Sequence, residues 1–246
     1  MERDKTESNE VAPSEGFNLR HELGMLVYIS VPSVAIQFSL FFVFPQSASL
    51  VGRSLGTEEL AGFSLGSLVG NLTCLSVMVG ALSAADTLMP RAYGAGRYDE
   101  LGRLAIRATV VCAILLIPPI IPLCTVVDPI FRFLGQDPIA AQLAASWLPI
   151  YLLGTPANLG FRVIQRFLVA QHKPWPPVYA SVIPSFLIHP FLLRHMVARF
   201  GLEGSALAIA MTQWNMLFLL LLYLRFVPGA YLKESWNGEF LWVEDV

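Results

Sequence analysis

Charge is what this chain has least of. Only 14% of its 246 residues are charged, against about 25% in ordinary soluble domains, and its mean hydropathy is +0.59. A chain that is 55% hydrophobic cannot cover its apolar surface with polar side chains. That excludes a soluble globular domain and points to an integral membrane protein. Cysteine is sparse too. Cys74, Cys112 and Cys124 fall in apolar runs without CxxC or Cys/His spacing, which excludes a zinc finger and a disulfide framework and leaves three small buried hydrophobes. No HExxH, no GxSxG and no acid pair on a helix face supports an enzyme. No basic patch argues for a nucleic-acid partner. Carboxylates are also missing from the middle of every long apolar stretch, so ion-coupling chemistry has no acidic handle there.

What the chain does have is a series of apolar stretches, each long enough to cross a bilayer, for which about 20 residues suffice. The expected spans are residues 23–43, 61–85, 104–127, 144–168, 178–197, and a sixth ending near Val227. Together they predict an all-α, six-helix integral membrane bundle over residues 21–228. Pro32 sits inside the first span, Pro118, Pro119 and Pro122 bend the third, and Gly154 and Pro156 interrupt the fourth. Gly62, Gly66 and Gly70 recur every fourth residue, so they share one helix face and let another helix come close. Residues 1–20 are polar and acidic and are expected to be a disordered tail, with no signal-peptide core. Residues 229–246 form a second tail, in which Trp236, Phe240 and Trp242 suit the water interface. With six spans both termini share a side, and that side carries twelve of the 16 Lys and Arg. The positive-inside rule then places both termini in the cytosol.

After Ala85 the apolar run gives way to a polar segment, read as an elbow, with Asp86-Thr87-Leu88 and Ala92-Tyr93-Gly94-Ala95-Gly96 at its ends. Gly52, Gly56, Glu59 and Leu60 form a second pattern. Leu134 to Pro138, Gln165 to Gln171 and Gly201 to Ala208 add three more. At these spacings the chain resembles the multidrug and toxic compound extrusion (MATE) family, especially its eukaryotic branch. It departs from the family at Pro90-Arg91, at Arg53 where His is usual, and at His189 where Asn is usual. The resemblance runs from about Leu23 to Trp236 and corresponds to the N-terminal one of two six-helix lobes.

That resemblance implies efflux of organic cations or amphipathic metabolites by alternating access. Proton- or ion-coupled antiport would drive it, fed by a transmembrane proton or sodium gradient, without a cofactor or metal. The implied location is the plasma membrane or a vacuolar or endosomal membrane. The expected partners are the lipid bilayer, the transported molecule, and a second lobe or second copy of the chain. The chain is expected to be a half or fragment of such a carrier. The alternative is a truncated, non-transporting lobe or regulatory subunit.

Few residues could carry the chemistry. Gln37, Asn71 and Gln213, with Trp214 beside it, are polar or aromatic groups in apolar helices. They would either line a substrate cavity or hydrogen-bond between helices. His189, just before Pro190, is a candidate proton site; otherwise it is a neutral ring bonded to a carbonyl freed by the proline. Asp86, Arg91 and Tyr93 belong to the implied structural or gating loop, where Asp86 would cap a helix or pair with an arginine. Arg162 and Arg166, one turn apart, are expected to snorkel to lipid phosphate.

Overall fold

In a membrane every backbone polar group must be satisfied within its own segment, so apolar sequence there winds into helix. The computed structural model describes residues 19–231. The tail expected over residues 1–20 and the interfacial Trp236, Phe240 and Trp242 lie almost wholly outside them.

Helix α1 spans Leu19–Ser54 with Pro32 and Pro45 inside it. The stretch between the first two expected spans is therefore mostly helix, and the turn is confined to Leu55 and Gly56. Gly56 has φ 131°, a conformation that side chains with a Cβ rarely adopt. α2 (Thr57–Gly70) passes through a π turn (Asn71–Leu75) into α3 (Ser76–Gly94). Here the expected elbow is corrected: residues 86–94 are helical, Pro90 included, and the chain turns only at Ala95 and Gly96. Each added residue gains a backbone hydrogen bond once a helix exists. Loss of hydrophobicity at Asp86 marks the end of the apolar run, not the end of the helix.

α4 covers Tyr98–Thr125 and α5 Val127–Phe133. α6 covers Pro138–Leu152, and α7 Thr155–Ala170. The loop expected over residues 128–143 thus shrinks to about four residues. Asp137 starts α6 by accepting hydrogen bonds from the amides of Ile139 (2.9 Å) and Ala140 (3.1 Å), with Pro138 pre-set for the first turn. α8 (Trp175–Ile183) runs through a second π turn (Pro184–Ile188) into α9 (His189–Phe226).

α9 is a hairpin. Gly201 has φ 59° and ψ −135°, and His189 touches Thr212 at 2.9 Å, although 23 residues of straight helix would separate them by about 35 Å. Four continuous helical stretches are long and apolar enough to cross a membrane. The last of them doubles back at Gly201, and α6–α7, broken at Leu153–Gly154, makes one more rod. The described residues therefore form a six-rod, all-α membrane bundle.

The glycine face of α2 packs on α6. A Cβ at Gly62 would lie 2.5 Å from the Leu143 Cβ, at Gly66 2.9 Å from the Trp147 ring, and at Gly70 2.9 Å from the Tyr151 ring. Trp147, fully buried, donates its indole N–H to Ser205 Oγ at 2.9 Å, so α2, α6 and the second arm of α9 are tied together. Leu187 and Phe191 point outward and are more than two-thirds exposed, as a lipid-facing surface requires.

Candidate functional site

Polar side chains of an apolar bundle must face a cavity or one another, and here several face one cavity of about 420 Å³. It lies between α1, the first π turn, α6, α7 and the second arm of α9. Its polar groups are Gln37, Asn71, Tyr151, Asn158, Arg162, Thr212 and Gln213, and Leu40, Phe41, Phe44, Leu75, Ile209 and Met216 supply apolar wall. Clefts of about 620 Å³ around Lys173 and Trp175 and about 490 Å³ between α4, α7 and α9 are larger. Neither combines amides with a buried charge.

Each wall residue has a local cause for its position. Asn71 opens the π turn, where its carbonyl accepts from the Ser76 amide five residues on. Such turns insert one extra residue and recur at functional sites. The Tyr151 hydroxyl donates to Asn71 Oδ1 at 3.2 Å, and its ring stacks on Trp147 with centroids 4.9 Å apart. Gln213 packs against the α6–α7 break: a Cβ at Gly154 would meet its Oε1 at 2.2 Å. That Oε1 is buried and has no hydrogen-bond partner among the described residues. Gln37 is exposed on the open side of the cavity.

The sequence therefore named three wall residues that the fold brings together: Gln37, Asn71 and Gln213. Trp214 is not among the lining residues. One position on from Gln213, it points elsewhere and donates its indole N–H to the Leu153 carbonyl at 3.1 Å. It thus satisfies an acceptor left open where α6 ends.

Arg162 was missed, and its expected snorkelling is corrected. It is 6% exposed and lines the cavity. The end of α7 at Ala170 is about 12 Å further along the helix. Its Nε donates to Asn158 Oδ1, one turn earlier, at 2.7 Å. Among the described residues no carboxylate forms an ion pair with it. The signal was available in sequence: Asn158 and Arg162 share a face at i, i+4, and a cation two turns inside an apolar span is costly unless it faces the interior.

Arg166 does not snorkel either. Its guanidinium meets Asp86, with Nε 2.7 Å from Oδ1 and an Nη donating to Oδ2 at 3.3 Å. Asp86, Arg91 and Tyr93 all belong to helix α3 rather than to a loop. Arg91 is exposed. The Tyr93 ring packs on those of Tyr98 (5.5 Å) and His172 (5.4 Å), which joins the ends of α3, α4 and α7.

His189 is fully buried behind the cavity wall. Its Nε2 lies 3.1 Å from Ser47 Oγ and its Nδ1 2.9 Å from Thr212 Oγ1. The expected bond to a carbonyl freed by Pro190 is replaced by these two hydroxyls. Each hydroxyl also donates to a carbonyl one turn back, Ser47 to Val43 at 2.9 Å and Thr212 to Ala208 at 2.7 Å. A hydroxyl has one proton. While they do so, each offers the ring only lone pairs. A neutral ring requires one hydroxyl to turn from its carbonyl and donate inward.

Comparison with known proteins agrees with the all-α membrane fold. The MatE family profile matches residues 32–193. A transporter of Schizosaccharomyces pombe is 30% identical over 96% of this chain and 45% of its own length. Protein DETOXIFICATION 14 of Arabidopsis thaliana is 34% identical over 90% of this chain and 45% of its own length. Among solved structures, the eukaryotic MATE transporter AtDTX14 superposes with a TM-score of 0.81 at 28% identity, covering 88% of this chain and 48% of that one. The chain spans about half the length of the relatives it matches.

Proposed function

This chain belongs to the multidrug and toxic compound extrusion family, and from that premise we propose that it forms one wall of an alternating-access exporter of small organic molecules. The observation that carries the reading is the cavity of about 420 Å³, which presents four amides, a phenol and the Arg162 guanidinium inside a largely apolar bundle. Organic cations and amphipathic metabolites are the substrate classes the family implies. The opposing wall is a second six-helix lobe, since carriers of this kind work by rocking one repeat against the other around a shared site. The energy source is a transmembrane proton or sodium gradient, with His189, a titratable ring held between the Ser47 and Thr212 hydroxyls, as the candidate proton site. Both termini face the cytosol, in the plasma membrane or a vacuolar or endosomal membrane, with Asp86, Arg91 and Tyr93 stabilising the cytosolic mouth.

The second reading is a non-transporting lobe or regulatory subunit, favoured by a cavity whose described lining residues include no carboxylate to couple an ion. Reconstitution distinguishes the two. The purified chain in liposomes with an imposed pH gradient is expected to show no exchange of organic cations, and fusing a matching second lobe after Trp242 is expected to create it. His189→Asn in that fusion should remove the dependence on the gradient. Absence of transport with the second lobe present would favour the regulatory reading. Robust transport by the chain alone would overturn the need for a second wall.

A further inference from the structure

A cation buried without a countercharge needs one. Taking a guanidinium out of water costs several kcal/mol unless it is paired and fully hydrogen-bonded, and Arg162 is 6% exposed with Asn158 Oδ1 as its side-chain acceptor. The Asp86 carboxylate is engaged by Arg166 instead. Among the described residues, no Asp or Glu lines the cavity. A guanidinium carries five N–H donors in a rigid fork. Nε uses one on Asn158, and the two Nη groups have no hydrogen-bond partner among the described residues.

Resting on the transporter reading above, we infer that Arg162 is the anion-binding residue of this cavity and receives the carboxylate of an organic anion or zwitterion. Planar, two-point pairing with a carboxylate is the geometry the guanidinium fork favours. The Asn71 amide N–H₂ adds donors on the same wall, because its Oδ1 is taken by Tyr151. Phe41, Phe44, Ile209 and Met216 offer an apolar surface that suits an organic body and that a bare inorganic ion would leave unfilled. A molecule with only positive charge would face an unpaired cation here. A zwitterion places its carboxylate on this lobe and its cationic end toward the opposing one.

The test uses the purified chain in lipid nanodiscs, with three probes followed by titration calorimetry and ligand-dependent thermal shift: benzoate, N-methylpyridinium of similar size, and chloride. Benzoate is expected to bind, and Arg162→Gln to weaken it at least about 30-fold, the scale on which a buried charged hydrogen bond is lost. N-methylpyridinium should bind no more weakly to the variant than to the unaltered chain. Arg162→Met, which replaces an unpaired charge by an apolar chain of similar length, should melt no lower than the unaltered protein without ligand and should lose the benzoate-induced shift. Equal benzoate binding by Arg162→Gln would overturn the inference. So would chloride displacing benzoate at similar concentration, which would make the site one for inorganic anions. Binding of N-methylpyridinium alone would overturn the carboxylate while leaving the transporter reading intact. Binding of neither organic probe would remove the cavity as a substrate site and both readings with it.

Discussion

Arg166 and Asp86, 80 residues apart in sequence, meet at 2.7 Å and tie α7 to the C-terminal half of α3. The arginine side chain is 14% exposed and the aspartate 53%, so solvent screens the pair from one side only. Exposed pairs are worth about 0.2–1 kcal/mol. A double-mutant cycle of Asp86→Ala and Arg166→Ala, read by thermal unfolding in detergent, should give a coupling near the top of that range. Additive effects of the two changes would mean the contact contributes nothing.

Glycines on α2 and α3 are expected to divide by what surrounds them. Gly66→Leu drives a side chain into the Trp147 ring, which a Cβ alone would already meet at 2.9 Å, and should sharply lower the yield of folded protein. Gly80 has nothing within 4 Å of an added Cβ. Gly80→Ala should be neutral or stabilising by up to about 1 kcal/mol through helix propensity. Size-exclusion profiles and melting temperatures of the two variants check the contrast, and equal behaviour would mean the α2–α6 contact is looser than described.

The α6–α7 break is held from α9. Gly154→Ala places a methyl 2.2 Å from Gln213 Oε1 and 2.9 Å from the Ala210 Cα, so Gln213 must leave its place or the helices must part. Trp214→Phe removes only the hydrogen bond to the Leu153 carbonyl, and hydrogen bonds between membrane helices average about 0.6 kcal/mol. The alanine variant should therefore be clearly the less stable, and it should alter binding at the cavity. The phenylalanine variant should keep binding with a small loss of melting temperature. The reverse order would refute this account of the break.

Orientation is open to labelling. With both termini cytosolic, single cysteines at Gly96 and Lys173 should resist a membrane-impermeant thiol reagent in intact cells, and one at Gln136 should react. Gly96 lies in the turn after α3 and Gln136 in the turn before α6, so each site is a loop rather than a span. Reaction of Gly96 from outside would invert the assignment.

The amino-acid sequence by itself determined the class of the molecule. Its low charge and long apolar runs leave no soluble alternative, and the backbone, barred from bonding to lipid, becomes helix. The same sequence marked one face of α2 for a close helix contact, because a four-residue glycine period has one geometric meaning on a helix, and the fold supplied α6 as the partner. It also picked out Gln37, Asn71 and Gln213, since polar groups in apolar spans are rare enough to stand out. The helix ends were less legible. Pro45, Pro90 and Asp86 look like breakers, yet the helix runs through each, since backbone bonding outweighs one lost N–H or one charged side chain. Whether a polar residue faces lipid, a neighbour or the cavity was decided only by tertiary structure. Arg162 and Arg166 look alike in sequence, one turn apart. The fold gives Arg166 the Asp86 carboxylate and leaves Arg162 facing the cavity without one, because a rotation of about 40° between them on a packed helix changes which neighbours lie within reach.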